Sequence, residues 1–196
     1  YNQFCPMDPN SGSRSIAGCP SIALGMIIDY FRLINGTTFT DDDDYYHNYG
    51  GRQYWIDDDH EEQDFLNFPE INSYLSSIES TYTQTGNITD EEAAALVFAC
   101  GVAARQVYSS SVSGTFGVIQ AFEAYQKFGF SQAELLYESN PDVYTIMAEN
   151  VRNGNPAHLA VVVPDPGSGG HNVVVDGWNT DNYFHVNFGW GGSYNN

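Results

Sequence analysis

The run Ala17-Gly18-Cys19-Pro20-Ser21-Ile22-Ala23-Leu24-Gly25-Met26-Ile27-Ile28-Asp29-Tyr30 decides how the chain is read. Pro20 suits the first turn of a helix, where its missing N–H is no loss. The residues after it put Ile22, Ala23, Met26, Ile27 and Tyr30 on one face and Leu24 and Ile28 elsewhere, so a helix over residues 20–33 is expected to be central and buried. Cys19 then stands just before that helix, where backbone N–H groups and the helix dipole stabilise a negative sulfur. Gly18, having no Cβ, would let a substrate backbone come close. On this stretch alone the ordinary alternative, a cysteine acting as a small buried hydrophobe, stays open.

Working outward, 196 residues with 42% hydrophobic and 15% aromatic content suffice for a sizeable core, as one domain or two lobes around one cleft. Only 6 Lys+Arg oppose 25 Asp+Glu, for a formal charge of −19. Such a surface repels phosphate backbones and anionic lipid, so neither nucleic acid nor a membrane is an expected partner. No run approaches the roughly 18 apolar residues of a membrane span, and the start lacks a signal-like segment, so Tyr1 reads as a mature or trimmed start. The ending Gly191-Gly192-Ser193-Tyr194-Asn195-Asn196 is abrupt, with no strand to close a sheet, as if the catalytic domain were truncated there. Cys5, Cys19 and Cys100 cannot all pair within one molecule, and spacing leaves open whether Cys5 and Cys100 do.

Residues 1–154 read mainly as helices between polar loops, and residues 155–196 as β-rich. Residues 40–63, with Asp41, Asp42, Asp43, Asp44, Asp57, Asp58, Asp59, Glu61 and Glu62, read as an exposed acidic loop region. Thr89-Asp90-Glu91-Glu92 predicts a capping box opening a helix that stops near Gly101. Further helices are expected over residues 116–128 and 141–152, and antiparallel strands over 157–163, 170–178 and 183–188, with turns at 164–169 and 179–182. No linker separates the halves, so a single α+β domain is expected, its helical lobe packed against a sheet lobe with the active site in the cleft.

A thiol nucleophile needs a proton acceptor, and His171 follows Gly169 and Gly170 at the mouth of a strand. His158 and His185 fall inside strands as packing or surface residues, while His47 and His60 fall in the acidic loops. His171 lies about 150 residues after Cys19, near the spacing of papain-type enzymes.

Tyr1-Asn2-Gln3, Ala17-Gly18-Cys19 with Ser21-Ile22-Ala23, Gly170-His171 leading to Val175-Asp176-Gly177, and His185-Val186-Asn187-Phe188-Gly189-Trp190-Gly191-Gly192 together resemble the streptopain family of papain-like cysteine peptidases. Cys100-Gly101-Val102 with Tyr108, Phe128-Gly129-Phe130 and Gly154-Asn155-Pro156 extend the resemblance over nearly the whole chain, most weakly over residues 37–86. It implies a papain-like two-lobed fold with Cys19 as nucleophile and His171 as acid–base partner. It also implies Gln3 and the Cys19 N–H as oxyanion donors, Asn187 as orienter of the imidazole, and Trp190 packed beside that pair. Ser111, Ser113, Gly114, Gly170 and Trp190 correspond to substrate-contacting positions. Further implications are peptide or protein substrates with a hydrophobic residue two positions before the cleaved bond, and no metal or other cofactor. A bacterial, secreted, monomeric enzyme made as a zymogen is implied, its inhibitory propeptide absent from this chain.

Two residues depart from the family pattern: Phe188 stands where a tryptophan is usual, and Asn172 follows the histidine where a small apolar residue is common, which would put a polar group near the sulfur. Neither CxxC nor HExxH occurs, which excludes the usual zinc sites. The acidic segments lack the spacing of a calcium loop and read as a solvated face. Two competing functions share the fold: deamidation or transglutamination through the same thioester, and a catalytically silent binding or adhesion domain.

Overall fold

In the computed structural model, which describes residues 1–162 and 169–193, the chain runs β1 (Met7–Asp8), β2 (Ser13–Arg14), α1 (Cys19–Phe31), a 3-10 turn (Asp41–Asp43), β3 (Tyr46–Tyr49), β4 (Arg52–Trp55), α2 (His60–Gln63), α3 (Phe68–Thr83), α4 (Asp90–Ala103), α5 (Val118–Lys127), α6 (Val143–Arg152), β5 (Ala157–Val162), β6 (Gly170–Trp178) and β7 (Phe184–Asn187). The expected strand end at Val163, all of the 164–169 turn but Gly169, and the terminal Tyr194, Asn195 and Asn196 lie outside the described residues. The class is α+β, with antiparallel pairing in every sheet. Two compact units form, Tyr1–Ala133 and Glu134–Asn196. The change of texture at Gly154 is not their boundary, because α6 packs on β5 and β6.

In the first unit α4 is the most enclosed helix. Every residue from 94 to 102 is buried, and α1, α3 and α5 pack around it. Its capping box forms as expected, with Thr89 Oγ1 accepting from the Glu92 N–H at 3.2 Å and Glu92 Oε2 accepting from the Thr89 N–H at 2.9 Å. Helix α1 is buried over most of its surface but less completely than expected, since Tyr30 is 59% exposed. It closes on α4 at Gly25, where a Cβ would lie 3.0 Å from Val97 Cγ2. Among the described residues no helix is long and apolar enough to cross a membrane.

The expected loop over residues 40–63 is instead built structure. Tyr46 pairs with Trp55 and His47 with Tyr54 in a hairpin closed by Gly50 and Gly51, both at positive φ as a tight two-residue turn requires. Three of the region's acidic residues are fasteners, while Asp41, Asp42, Asp58, Glu61 and Glu62 stay exposed: Asp57 Oδ1 accepts from the Phe68 N–H, Asp59 Oδ2 from the Trp55 N–H, and Asp43 pairs with Lys127. His47 is likewise no loop residue. It is fully buried and stacked on Tyr54 at 4.3 Å, its Nε2 accepting from the Tyr108 N–H and its Nδ1–H donating to the Arg52 carbonyl. With both ring nitrogens committed the imidazole is neutral, and burial pushes its pKa down.

The second unit carries the sheet β5-β6-β7. Val161 pairs with His171 and Val174 with Asn187, with a bulge between Val175 and Gly177. Asn179 Oδ1 accepts from the N–H groups of Asp181 and Tyr183, turning the chain where a turn was expected.

Asp8 fastens the first unit across long sequence distances. Its carboxylate has no exposed surface and accepts from Arg52 Nε at 2.6 Å and Nη2 at 2.8 Å, from the Ser110 N–H and hydroxyl at 2.8 and 2.7 Å, and from the Asn10 N–H. The Arg52 guanidinium holds its carboxyl well below the usual carboxylate range. The depressed folded value means that its contribution is whole above about pH 4 and fades as pH falls below that. Asp8→Ala leaves the partly covered Arg52 guanidinium and the part-buried Ser110 donors without their carboxylate and should cost about 3–5 kcal/mol in urea unfolding at pH 7. A loss below about 1 kcal/mol would show that Arg52 finds other partners.

Candidate active site

Of the three thiols only Cys19 is partly accessible. Cys5 and Cys100 are 1% and 0% exposed, and neither is in a disulfide. Burial pushes the Cys5 thiol up to about 12 and that of Cys100 still higher, so both stay protonated. Cys19 begins α1 behind Gly18, an extended N-cap with φ −75° and ψ 148°, and Pro20 occupies the first turn as expected.

Exposed Gln3 sits in a turn closed by the Cys5 N–H on the Asn2 carbonyl at 3.0 Å. Asn2 Oδ1 also accepts from the Ala17 N–H at 2.8 Å, tying that turn to the strand of chain leading into Cys19. Asn2 is a functional candidate that sequence reasoning passed over, although it belongs to the same short motif as Gln3. Gly18 has a packing reason besides substrate approach: a Cβ on it would lie 2.3 Å from Oε1 of the buried Gln106.

The loop after Tyr108 is joined to the approach to α1, since the Ile16 N–H donates to the Ser109 carbonyl. Ser111 is exposed. Ser113 is buried, its hydroxyl accepting from the Ser109 N–H and donating to the Ser109 carbonyl, so it braces the loop. Gly114 exchanges both backbone hydrogen bonds with Val107.

In the second unit, His171 lies on β6 next to the exposed Gly170. Its Nε2 is 3.2 Å from the Phe188 carbonyl oxygen, which only accepts, so Nε2 carries the proton and Nδ1 is the basic nitrogen of the neutral ring. The imidazole stacks on Phe188 at 6.1 Å and 12° and lies 5.2 Å from the half-exposed ring of Trp190. Asn187 Oδ1 accepts from the Gly189 N–H at 2.9 Å, fixing the turn that presents the Phe188 carbonyl.

Asn172 alternates to the other face of β6 from His171, where its Oδ1 accepts from His158 Nε2 at 2.8 Å. Its amide oxygen is thus engaged by a strand neighbour on the face opposite His171. His185 pairs with Asp176, and His60 bonds the Asp57 carbonyl and Asn67. No group of three or more His, Cys, Asp or Glu among the described residues could hold a metal ion.

Burial pushes His158 down to about 4, so it is neutral in the fold near pH 6, where the unfolded chain takes up a proton. Its contribution is whole above about 6.5 and is lost as pH falls to about 4. Unfolding free energy should therefore drop across that window, and His158→Gln should flatten the slope. Identical slopes for the two proteins would rule out this account.

The chain matches the Peptidase C10 family over residues 1–196. Among solved structures it is similar to the active wild-type interpain A cysteine protease of Prevotella intermedia. Their sequences are 23% identical, the TM-score is 0.66, and the match covers 97% of this chain and 76% of that one. At this identity the likeness speaks for the fold. No curated protein matches the chain. The chain therefore belongs to the peptidase C10, or streptopain, family and is a cysteine peptidase with a papain-like α+β fold.

Proposed function

We propose that the chain is an endopeptidase working through a thioester, with Cys19 as nucleophile and His171 as acid–base partner. The observation that carries this reading is the contrast among the thiols: two are sealed in the core and protonated, and the third opens a helix on a partly accessible surface. His171 supports it, because the Phe188 carbonyl holds its Nε2–H and leaves Nδ1 as the base.

In the proposed reaction Nδ1 of His171 takes the Cys19 proton and the sulfur attacks the scissile carbonyl carbon. The oxyanion receives hydrogen bonds from the Gln3 amide and the Cys19 N–H. As the C–N bond breaks, His171 returns its proton to the leaving amine. Water deprotonated by the same imidazole then hydrolyses the thioester and releases the thiol. Asn187 acts on the imidazole through the turn at Gly189, while Phe188 and Trp190 flank the ring and limit water.

Ser111, Gly114 and Gly170 contact an extended peptide with a hydrophobic residue two positions before the cleaved bond, and Ser113 holds the loop in shape. Family resemblance supports secretion by a bacterium, synthesis behind an inhibitory propeptide and action as a monomer.

Cys19→Ala should abolish cleavage of a protein substrate read by mass spectrometry, and a thiol-directed epoxide should modify Cys19. One-dalton shifts without new termini would instead assign deamidation, and an unmodified Cys19 in processed protein would assign a silent binding domain. Gln3→Ala should lower kcat about 10²–10³-fold with KM little changed. An unchanged kcat would remove Gln3 from the oxyanion site.

A further inference from the structure

We infer that Gln106 is a positioning residue for Cys19 that acts through Gly18. This rests on Cys19 being the nucleophile. The main chain of Gln106 is pinned: its N–H donates to the Gly101 carbonyl at 2.9 Å and its carbonyl accepts from the Tyr45 hydroxyl at 2.5 Å. From there the fully buried side chain reaches Gly18, and its amide lies broadside to that α-carbon. A Cβ on Gly18 would stand 2.3 Å from Oε1, 2.6 Å from Cδ and 2.9 Å from Nε2.

Neither amide atom has a hydrogen-bond partner among the described residues. An unsatisfied buried amide weakens a fold, and an apolar side chain of similar length would suit the same space better. Fold stability therefore gives no reason for the amide, and what the position supplies to Gly18 is a side chain of this length packed against it. Gly18 is the N-cap of α1, and its ψ of 148° sets the plane of the Gly18–Cys19 peptide. The N–H of that peptide is the second oxyanion donor of the proposed reaction, and the next atoms along the chain aim the thiol. Gln106 is the end of a flexible side chain, yet it is enclosed on all sides and cannot swing into solvent.

The same glycine admits a competing explanation, close approach of the substrate backbone. A double-mutant cycle separates the two. Gly18→Ala, Gln106→Ala, the double variant and Gln106→Met are compared by kcat and KM on a peptide, by the rate of iodoacetamide alkylation mapped to Cys19, and by thermal midpoint.

Gly18→Ala should lower kcat about tenfold or more with KM within about threefold, as expected for a small misplacement of reacting groups. Gln106→Ala should lower kcat several-fold, and Gln106→Met should restore most of that loss with a midpoint at or above that of the parent. The double variant should recover much of the Gly18→Ala loss, because the new methyl enters space that Gln106 vacated. A double variant as slow as Gly18→Ala, or a Gln106→Ala enzyme with unchanged kcat, overturns the proposal. Should Gly18→Ala fail to fold, the Gln106→Ala and Gln106→Met pair decides alone. Failure of the peptidase reading shows separately, as an inactive parent, while coupling between positions 18 and 106 stays readable in the alkylation rates.

Discussion

Helix α4 has no wet face between residues 94 and 102, and a helix of that kind persists in water only when other elements cover every side. That burden determines the first unit. Helix α1 covers one side through the Gly25–Val97 contact, α3 and α5 cover others, and Phe98 joins Phe65 and Tyr108 in an aromatic cluster. Beyond α4 the chain passes Arg105 in a left-handed conformation, and Gln106 and Tyr108 turn back into the interior. The start of α1 is thus located by apolar burial, and Cys19 occupies the end of that helix which burial leaves partly open.

Polar groups within this core fall into two kinds. Asp8 and His47 are fully served, the carboxylate by a guanidinium, a hydroxyl and backbone donors, the imidazole by one donor and one acceptor. Groups so satisfied add rigidity and hold the hairpin and the loop at Ser110 against the helices. The Gln106 amide and the hydroxyls of Tyr54, Tyr108 and Ser15 are buried without hydrogen-bond partners among the described residues. Two of them press on glycines, Gln106 on Gly18 and Tyr108 on Gly101, where a Cβ would lie 2.2 Å from the hydroxyl oxygen. Their backbone neighbours, not hydrogen bonds, fix these groups, so the glycines are as much a part of the site's architecture as the side chains.

Legibility in the sequence followed locality. The helix beginning at Cys19, the Thr89 capping box and the three late strands depend on neighbours in the chain and were read nearly to their observed ends. Helix α3 carries an equally local signal, an Asn67–Glu70 capping box with Phe68, Ile71, Leu75, Ile78 and Tyr82 at helical spacing, but it adjoins the acidic stretch whose composition points to a loop. The hairpin was hidden the same way, although Gly50-Gly51 between aromatic runs is a turn signal. The contact of Gly18 with Gln106, the Asn2 tether to Ala17 and the facing-away of Asn172 join residues through the fold, and one sequence without its tertiary context does not display them.

Phe188 shows how a departure from a family pattern can leave a proposed mechanism intact. The part of residue 188 that meets Nε2 of His171 is its carbonyl oxygen, which every amino acid supplies. The tautomer therefore depends on the path of the chain through Asn187, Phe188 and Gly189, which the Asn187 amide holds and the positive φ of 73° at Gly189 permits. What the side chain adds is a ring stacked on the imidazole, and phenylalanine provides that as an indole would, without the N–H. On this reading Asn187 earns its place by bending the backbone, and the chemistry at His171 tolerates variation at position 188 that it would not tolerate at 187 or 189.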